Sequence, residues 1–179
     1  MGNSYTNCTL VTGDQAGVLD RLRALKRHAY VTPGSSTGIV IFDKDEDVEL
    51  GRPLSKALGC PALVVLDHDD DVLYYWLYDN GKRIDSYCSN PDFDEDFPAE
   101  DGDGDAAKLC RAFGKPKAEK KVKTALTSHR GDYAFAVRRH HALVKALGLP
   151  EHAVGMCYRY IAGGDVPSGL TKADLTHVP

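Results

Sequence analysis

The chain alternates apolar segments with short polar turns, most clearly between residues 62 and 88. Residues 62–66 and 72–78 are continuous apolar runs, and residues 83–88 follow as a third segment of strand character. Asp79-Asn80-Gly81-Lys82 separates the second run from the third. Asn-Gly is typical of the type I′ turn of a hairpin, in which both central residues need a positive φ. We therefore predict an antiparallel meander of three strands.

The middle run of the meander is apolar on both faces, which is typical of a central strand. Successive residues of a strand point to opposite faces, so Tyr74, Trp76 and Tyr78 share one face. Tyr87 on the third strand is a candidate fourth member of this aromatic row. We expect the row to pack beneath helices rather than to form an open ligand surface.

The segment before the meander has the order strand, helix, strand, helix. Residues 5–11 form a strand-like run, and Val18, Leu22 and Leu25 then recur at helical spacing. A second short apolar run covers residues 38–42, and residues 48–58 suit a second helix.

After residue 105 the pattern becomes helical. We predict helices over residues 106–113, 132–147 and 150–161, a lysine-rich segment over 115–123, and a loop-like tail over 163–179. The whole order indicates an α+β protein: a mixed sheet of about five strands (βαβα, then the antiparallel three-strand meander) with helices on one face and a C-terminal helical lobe. We expect hydrophobic burial to hold the fold together around a few residues: Leu63, Val65, Leu73, Trp76, Val137, Val144 and Leu147.

Charge divides the chain into two regions. Residues 1–105 contain 21 Asp and Glu against nine Lys and Arg, a net charge of −12, whereas residues 106–179 contain five against 13, a net charge of +8. We interpret residues 1–105 as an acidic α+β sheet domain that ends in an acidic loop, and residues 106–179 as a basic helical lobe packed on it as one unit. The loop, residues 89–105, carries eight acids and little apolar content, which predicts a mobile segment.

The composition is that of a soluble globular protein, with 42% hydrophobic and 27% charged residues. No apolar run approaches the ~20 residues of a membrane span, and no charged-then-apolar leader opens the sequence. We therefore expect a cytoplasmic protein that does not contact a membrane. The cysteines are odd in number, form no Cys-x-x-Cys pair and have apolar neighbours, which favours reduced core thiols; a catalytic cysteine stays open, because only the fold would supply its base. They are Cys8, Cys60, Cys88, Cys110 and Cys157.

The segment from Asp67 to Asp71 is the first candidate for chemistry, because it places carboxylates and an imidazole within five residues. Carboxylate oxygens are hard ligands for divalent cations. The candidate metal ligands are Asp67, His68, Asp69 and Asp71, with Asp85 as a further member. The alternative is a solvated turn, since Asp is favoured in turns for local backbone reasons.

Two other clusters match metal sites less well. Residues 101–105 begin like a calcium-binding loop, but Ala106 and Ala112 stand where the loop needs a glycine and a bidentate glutamate. His129, His140 and His141 lack the spacing of zinc ligands, because neighbouring helical residues point about 100° apart. We interpret these histidines as part of a basic helix face.

The lysines between residues 108 and 123 are of the type that phosphate contacts need. The segment lacks the interleaved aromatic residues of single-strand binders and any helix-turn-helix or RRM signature. We therefore expect no nucleic acid as a partner, and we expect the basic lobe to pack near the acidic meander. Neither G-x-x-x-x-G-K-[ST] nor G-x-G-x-x-G occurs, so we also expect no tightly bound organic cofactor and no conventional hydrolase or kinase activity.

Several segments resemble a pattern that recurs in uncharacterised soluble bacterial proteins. Residues 77–81 (Leu-Tyr-Asp-Asn-Gly), 85–87 and 89–92 carry the first part of the resemblance, and residues 147–151 and 158–161 carry the second. Together they extend over about half of the chain. The resemblance implies no activity, cofactor or site.

Two classes of function remain. The first is a non-enzymatic protein-interaction protein, of regulatory or immunity type in a bacterium, whose acidic surface recognises a basic protein partner. The second is a divalent-metal-dependent enzyme that uses the residues from Asp67 to Asp71. For assembly, the charge asymmetry predicts a monomer or a weak dimer that is sensitive to salt.

Overall fold

Within the described residues, one antiparallel sheet of seven strands forms the centre of the molecule, and α-helices pack against it. The computed structural model describes residues 2–93, 102–128, 133 and 135–179. The predicted α+β class is confirmed. The strands are β1 (Tyr5–Leu10), β2 (Ala29–Val31), β3 (Ile39–Asp43), β4 (Ala62–His68), β5 (Val72–Asp79), β6 (Lys82–Cys88) and β7 (Thr176–Val178). The helices within the described residues are α1 (Gln15–Ala24), α2 (Gly51–Leu58), α3 (Ala106–Ala112), α4 (Glu119–Thr127), α5 (Ala136–Leu147) and α6 (Tyr158–Ala162).

The strand order is β6-β5-β4-β1-β3-β2-β7, and each pair of neighbours is antiparallel. The predicted mixed sheet of about five strands is therefore wrong in strand number and in direction. Sequence patterning missed β2 and β7 because three residues are too few to show a hydrophobic period. The crossover β1-α1-β2 has β3 between its strands, and the crossover β3-α2-β4 has β1 between its strands. The two strands of each crossover are parallel but are never neighbours, so every neighbouring pair in the sheet is antiparallel.

The predicted meander is confirmed as β4, β5 and β6, with β5 between the other two. Asn80 and Gly81 form the tight turn with φ values of 47° and 75°. Both values are positive, as the type I′ turn requires.

Helices cover both faces of the sheet, which corrects the expectation of helices on one face. Tyr74, Trp76 and Tyr78 of β5 belong to the core that α1 and α2 cover. Tyr87 belongs to the core on the opposite face, beneath α3, α4 and α5, so it does not join the aromatic row. Six of the seven expected core residues are buried, and Val137 is half-buried.

The C-terminal part of the chain also departs from the predicted elements. The lysine-rich segment forms a short 3-10 turn, Pro116–Ala118, that leads into α4. The predicted helix over residues 150–161 is a 3-10 turn, Glu151–Ala153, followed by α6, with Gly155 at a φ of 74° between them. The loop-like tail contains β7, which pairs with β2.

The acidic loop is described only at its two ends, and residues 94–101 lie outside the described residues. At its C-terminal end Asp103 forms a β-bridge with Tyr87, and the Cys88 N–H donates to the Gly102 carbonyl at 3.2 Å. Among the described residues, no helix is both long and apolar enough to cross a membrane. The cysteines are all buried and none forms a disulfide.

Candidate functional site

The acidic turn between β4 and β5 holds the first residues of the chain. Asp69 and Asp70 adopt left-handed φ values of 54° and 61°, which reverse the chain between the strands. The Gly2 N–H donates to the Asp69 carboxylate at 2.7 Å, and the Asn3 N–H donates to the Asp70 carboxylate at 2.9 Å. The Asp69 N–H donates in turn to the Ser4 hydroxyl at 2.9 Å. These carboxylates therefore bind backbone N–H groups of residues 2 and 3.

The predicted metal ligands lie on different sides of the sheet. Asp67 is buried on the face covered by α5, and the next residue, His68, lies on the opposite face. Asp69 is exposed at the tip of the turn, and Asp71 follows it half-buried. Asp85 is on β6, so β5 separates it from Asp67. Within the described part of the chain, no three His, Cys, Asp or Glu side chains converge as metal ligands.

A buried polar cluster lies between β1, β4 and α5. Tyr5 and Asp67 are opposite each other in the β1–β4 pair, and both are 0% exposed. The Tyr5 hydroxyl is 2.8 Å from Nδ1 of His140, which is 2% exposed. Oδ1 of Asp67 accepts the Asp70 N–H at 3.1 Å.

Burial shifts Asp67 and His140 of this cluster toward their neutral forms. Loss of hydration, with a smaller contribution from Asp70, raises the pKa of Asp67 to about 7. Loss of hydration, with a smaller contribution from His141, lowers the pKa of His140 to about 3. The cluster is closed to solvent, so its chemistry concerns the fold rather than a substrate.

The histidines expected on one basic face are separated. His140 points into the cluster, whereas His141 is exposed on the surface of α5. His129 lies outside the described residues.

A shallow cleft runs beside the edge of β6 and has a volume of about 370 Å³. Asp85, Asp103 and Asp105 contribute carboxyl groups to it, and Arg83 and Lys108 contribute positive charges. The Asp85 carboxylate accepts the Tyr75 hydroxyl at 2.6 Å, and burial raises its pKa. The Lys108 ammonium lies 4.0 Å from Asp85 and 3.8 Å from Asp105, so the cleft is largely compensated in charge.

A cavity of about 1000 Å³ lies between α4 and α5 on the side away from the sheet. We call it the lysine groove. Among the described residues that line it there are five lysines and no acidic residue. Its lining residues are Gly114, Lys115, Pro116, Lys117, Ala118, Lys120, Lys121, Thr124, Tyr133, Ala142, Lys145 and Ala146.

The two helices beside the groove run antiparallel. At one end the Arg139 guanidinium of α5 donates to carbonyls near the end of α4. At the other end Lys115, which precedes α4, lies beside Gly148, which ends α5. Apolar residues of both helices face the sheet, so each presents its remaining surface to the groove.

Arg139 fixes one end of the groove. It is 3% exposed, and its guanidinium donates to the carbonyls of Ala125 and of Ser128, the latter at 2.8 Å. A cation at the C-terminal end of a helix compensates the free carbonyls there. The Tyr133 ring, which lines the groove, stacks against this guanidinium at 4.8 Å. Arg139 therefore positions both α4 and Tyr133.

One segment qualifies the expectation that no conventional hydrolase activity is present. Residues 34–38 (Gly-Ser-Ser-Thr-Gly) have the spacing G-x-S-x-G of a hydrolase nucleophile. That motif needs a strand-turn-helix, whereas these residues connect β2 to β3 and Ser36 is exposed. The structural context is thus that of a loop between strands.

No protein-family model, curated protein sequence or solved structure matches this chain significantly.

Sequence reasoning registered the lysines of the groove but not their arrangement. Lys117, Lys120, Lys121 and Thr124 recur at intervals of three and four residues, which is the signal of one helix face. That signal could have indicated a basic face on α4. It could not show that α5 would lie beside it and form a concave surface.

Proposed function

We propose that this protein is a non-enzymatic protein-interaction protein whose lysine groove binds an acidic segment of a partner protein. The observation that supports this proposal is the groove itself, a concave surface of about 1000 Å³ with five lysines around an apolar floor. The class of function is the first of the two that the sequence left open. The charge of the proposed recognition surface differs from the one expected from the sequence. The sequence suggested an acidic surface for a basic partner, whereas the proposed surface is a basic groove for an acidic partner.

Electrostatics favour an acidic occupant. The lysines lie on exposed positions of one cavity, where their like charges repel one another. A bound carboxylate relieves that repulsion, and complementary charge also speeds diffusional encounter. The apolar floor supplies area that loses water on binding.

The polar lining of the groove does not resemble a catalytic centre. Apart from the lysines, its described polar side chains are Thr124 and Tyr133, so no described carboxylate or imidazole stands ready as a general base there. The buried Asp67 and His140 are out of reach of a substrate. Binding is thus the better supported role.

Binding of a labelled acidic peptide, measured by fluorescence anisotropy, tests the proposal. The double variant Lys120→Glu/Lys145→Glu should weaken binding at least about tenfold. A matched control, Lys123→Glu/Lys172→Glu, makes the same change in net charge at exposed lysines that do not line the groove. It should change affinity by no more than about twofold, because exposed charges away from the interface are screened. Absence of binding, or an equal loss in both variants, would overturn the proposal.

The cleft beside β6 supports a second candidate, the recognition of a basic partner through Asp85, Asp103 and Asp105. Its charge compensation by Lys108 makes it the weaker of the two surfaces. A basic peptide that binds the protein and loses affinity with Asp103→Asn, but not with the exposed control Asp165→Asn, would favour this candidate.

A further inference from the structure

The floor of the lysine groove consists of small side chains. Ala118, Ala142 and Ala146 are partly buried and continue the core beneath α4 and α5. Ala142 and Ala146 are one helical turn apart, so they form a row along α5. Small residues at a contact let helix axes approach to about 8 Å, the short end of the range for packed helices. The floor therefore allows a helix to approach α4 and α5 closely.

The groove does not offer backbone partners to an extended peptide. An added strand needs the free N–H and C=O groups of a sheet edge. Away from their terminal turns, the backbone groups of α4 and α5 are used within the helices themselves. The edge strands β6 and β7 lie elsewhere in the fold. A helical occupant has no such need, because it satisfies its own backbone.

The lysines lie on both sides of the floor. Lys117, Lys120 and Lys121 belong to the α4 side, Lys145 belongs to α5, and Lys115 lies at the end near Gly148. A helix with one apolar row and acidic residues on both flanks would place carboxylates opposite each set of lysines. On the α4 side the lining residues run from Lys117 to Thr124, roughly 12 Å along the helix axis.

We infer, resting on the proposed function, that the segment bound in the lysine groove is an acidic amphipathic α-helix that packs as a third helix against α4 and α5. The apolar row of this helix contacts Ala118, Ala142 and Ala146. Its flanking carboxylates pair with the lysines of the two rims.

Three peptides of about 18 residues, with equal net charge, separate helix recognition from simple charge attraction. The first has Leu at intervals of three and four residues with Glu on both flanks. The second has the same composition in scrambled order. The third is the first peptide with one central uncharged residue replaced by proline, which breaks the helix. Anisotropy gives the affinities, and circular dichroism gives the gain of helix on binding.

The amphipathic peptide should bind at least about tenfold more tightly than the other two and gain helix in the complex. Equal affinity for all three would overturn the helical occupant while leaving the acidic partner in place. Failure of all three to bind would overturn the proposed function as well. A single-stranded oligonucleotide that displaces the peptide at lower concentration than unlabelled peptide would assign the groove to nucleic acid and overturn both.

A variant that fills the floor without altering charge provides an independent test. Ala146→Trp should weaken binding of the amphipathic peptide at least about tenfold, since the bulky ring occupies the place of the apolar row. Ala173→Trp is the matched control, because Ala173 is exposed and does not line the groove. A thermal melt of each variant establishes that it is folded. Unchanged affinity in a folded Ala146→Trp variant would overturn the inference.

Discussion

The hydroxyl of Tyr5 and Nδ1 of His140 lie 2.8 Å apart, although 135 residues separate them along the chain. This contact joins the central strand β1 to α5, the helix that forms one wall of the lysine groove. Asp67 lies opposite Tyr5 on the neighbouring strand. The folded protein thus buries an acid and an imidazole together, each shifted toward its neutral form.

Replacing either Asp67 or His140 should change how the free energy of unfolding depends on pH. Burial raises the pKa of Asp67 from 3.8 to about 7, so its contribution falls as the pH rises from about 4 to 7. Burial lowers the pKa of His140 from 6.5 to about 3, so its contribution rises with pH from about 3 to 6.5. Between pH 4 and 6.5 the folded state, compared with the unfolded state, holds an extra proton on Asp67 and lacks one on His140. The two groups therefore have opposite effects on the pH dependence of the free energy of unfolding.

In Asp67→Asn only the His140 shift remains, so the free energy of unfolding should rise with pH across the acidic range. In His140→Gln only the Asp67 shift remains, so the free energy of unfolding should fall with pH. Each change should be on the order of 2–4 kcal/mol. Asp69 and Asp70 on the turn and His141 on α5 are neighbouring charged or titratable groups whose fields add to burial. Urea denaturation between pH 4 and 7 measures the effect. Parallel pH profiles for both variants and the unmodified protein would contradict it.

Arg139→Lys should destabilise the protein by about 1–3 kcal/mol, because an ammonium cannot reproduce the guanidinium bonds to the α4 carbonyls. The neighbouring exposed residue supplies the control, and Arg138→Lys should cost less than about 0.5 kcal/mol. Arg139→Lys should also weaken peptide binding, since Tyr133 loses its stacking partner. Equal stability of the two variants in chemical denaturation would show that Arg139 does not hold α4.

Gly51→Ala should destabilise the packing of α2 on the sheet by about 1–3 kcal/mol. A Cβ at this position would lie 2.5 Å from Cδ2 of Tyr78 and 2.9 Å from a methyl group of Val64. At Gly13 the nearest atom to an added Cβ is 3.7 Å away, so Gly13→Ala is the control and should be nearly neutral. Comparable melting temperatures for the two variants would contradict the close approach of α2.

Calorimetric titration with Mg²⁺, Mn²⁺ and Ca²⁺ distinguishes the proposed binding role from a metal-dependent enzyme. We expect no stoichiometric heat, because Asp67 and His68 lie on opposite faces of the sheet and Asp69 is engaged with the Gly2 N–H. A stoichiometric site that Asp69→Ala abolishes, and that Asp165→Ala leaves intact, would favour the enzyme instead.

The apparent mass of the protein in solution should fall as NaCl is added, while its melting temperature should change little. Opposite charges on the two regions of the chain favour weak association, and their field is screened beyond about 8 Å at physiological salt. Exposed ion pairs contribute only ~0–1 kcal/mol each, so the fold itself should not depend on them. Sedimentation at low and molar salt measures the mass. A dimer that persists in molar salt would indicate an apolar interface.

The sequence by itself determined the local features of this protein. The apolar runs and the Asn80-Gly81 turn identified β4, β5 and β6, because strand period and turn conformation depend on residues close together in the chain. The same local rule identified α1 and α2 and the aromatic row that begins at Tyr74. The sequence also showed that residues 115–123 are rich in lysine, which accounts for most of the positive charge of the groove.

The tertiary structure alone decided which of these pieces meet. β2 is three residues long and exists through its pairing with β3 and β7, so no local pattern could specify it or the antiparallel sheet that it completes. Asp67 belongs to an acidic run, yet pairing of β4 with β1 and cover by α5 bury it, while Asp69 at the turn stays exposed. The lysine groove exists because α5 returns antiparallel beside α4. Burial and concavity are relations between distant segments, and a one-dimensional pattern does not contain them.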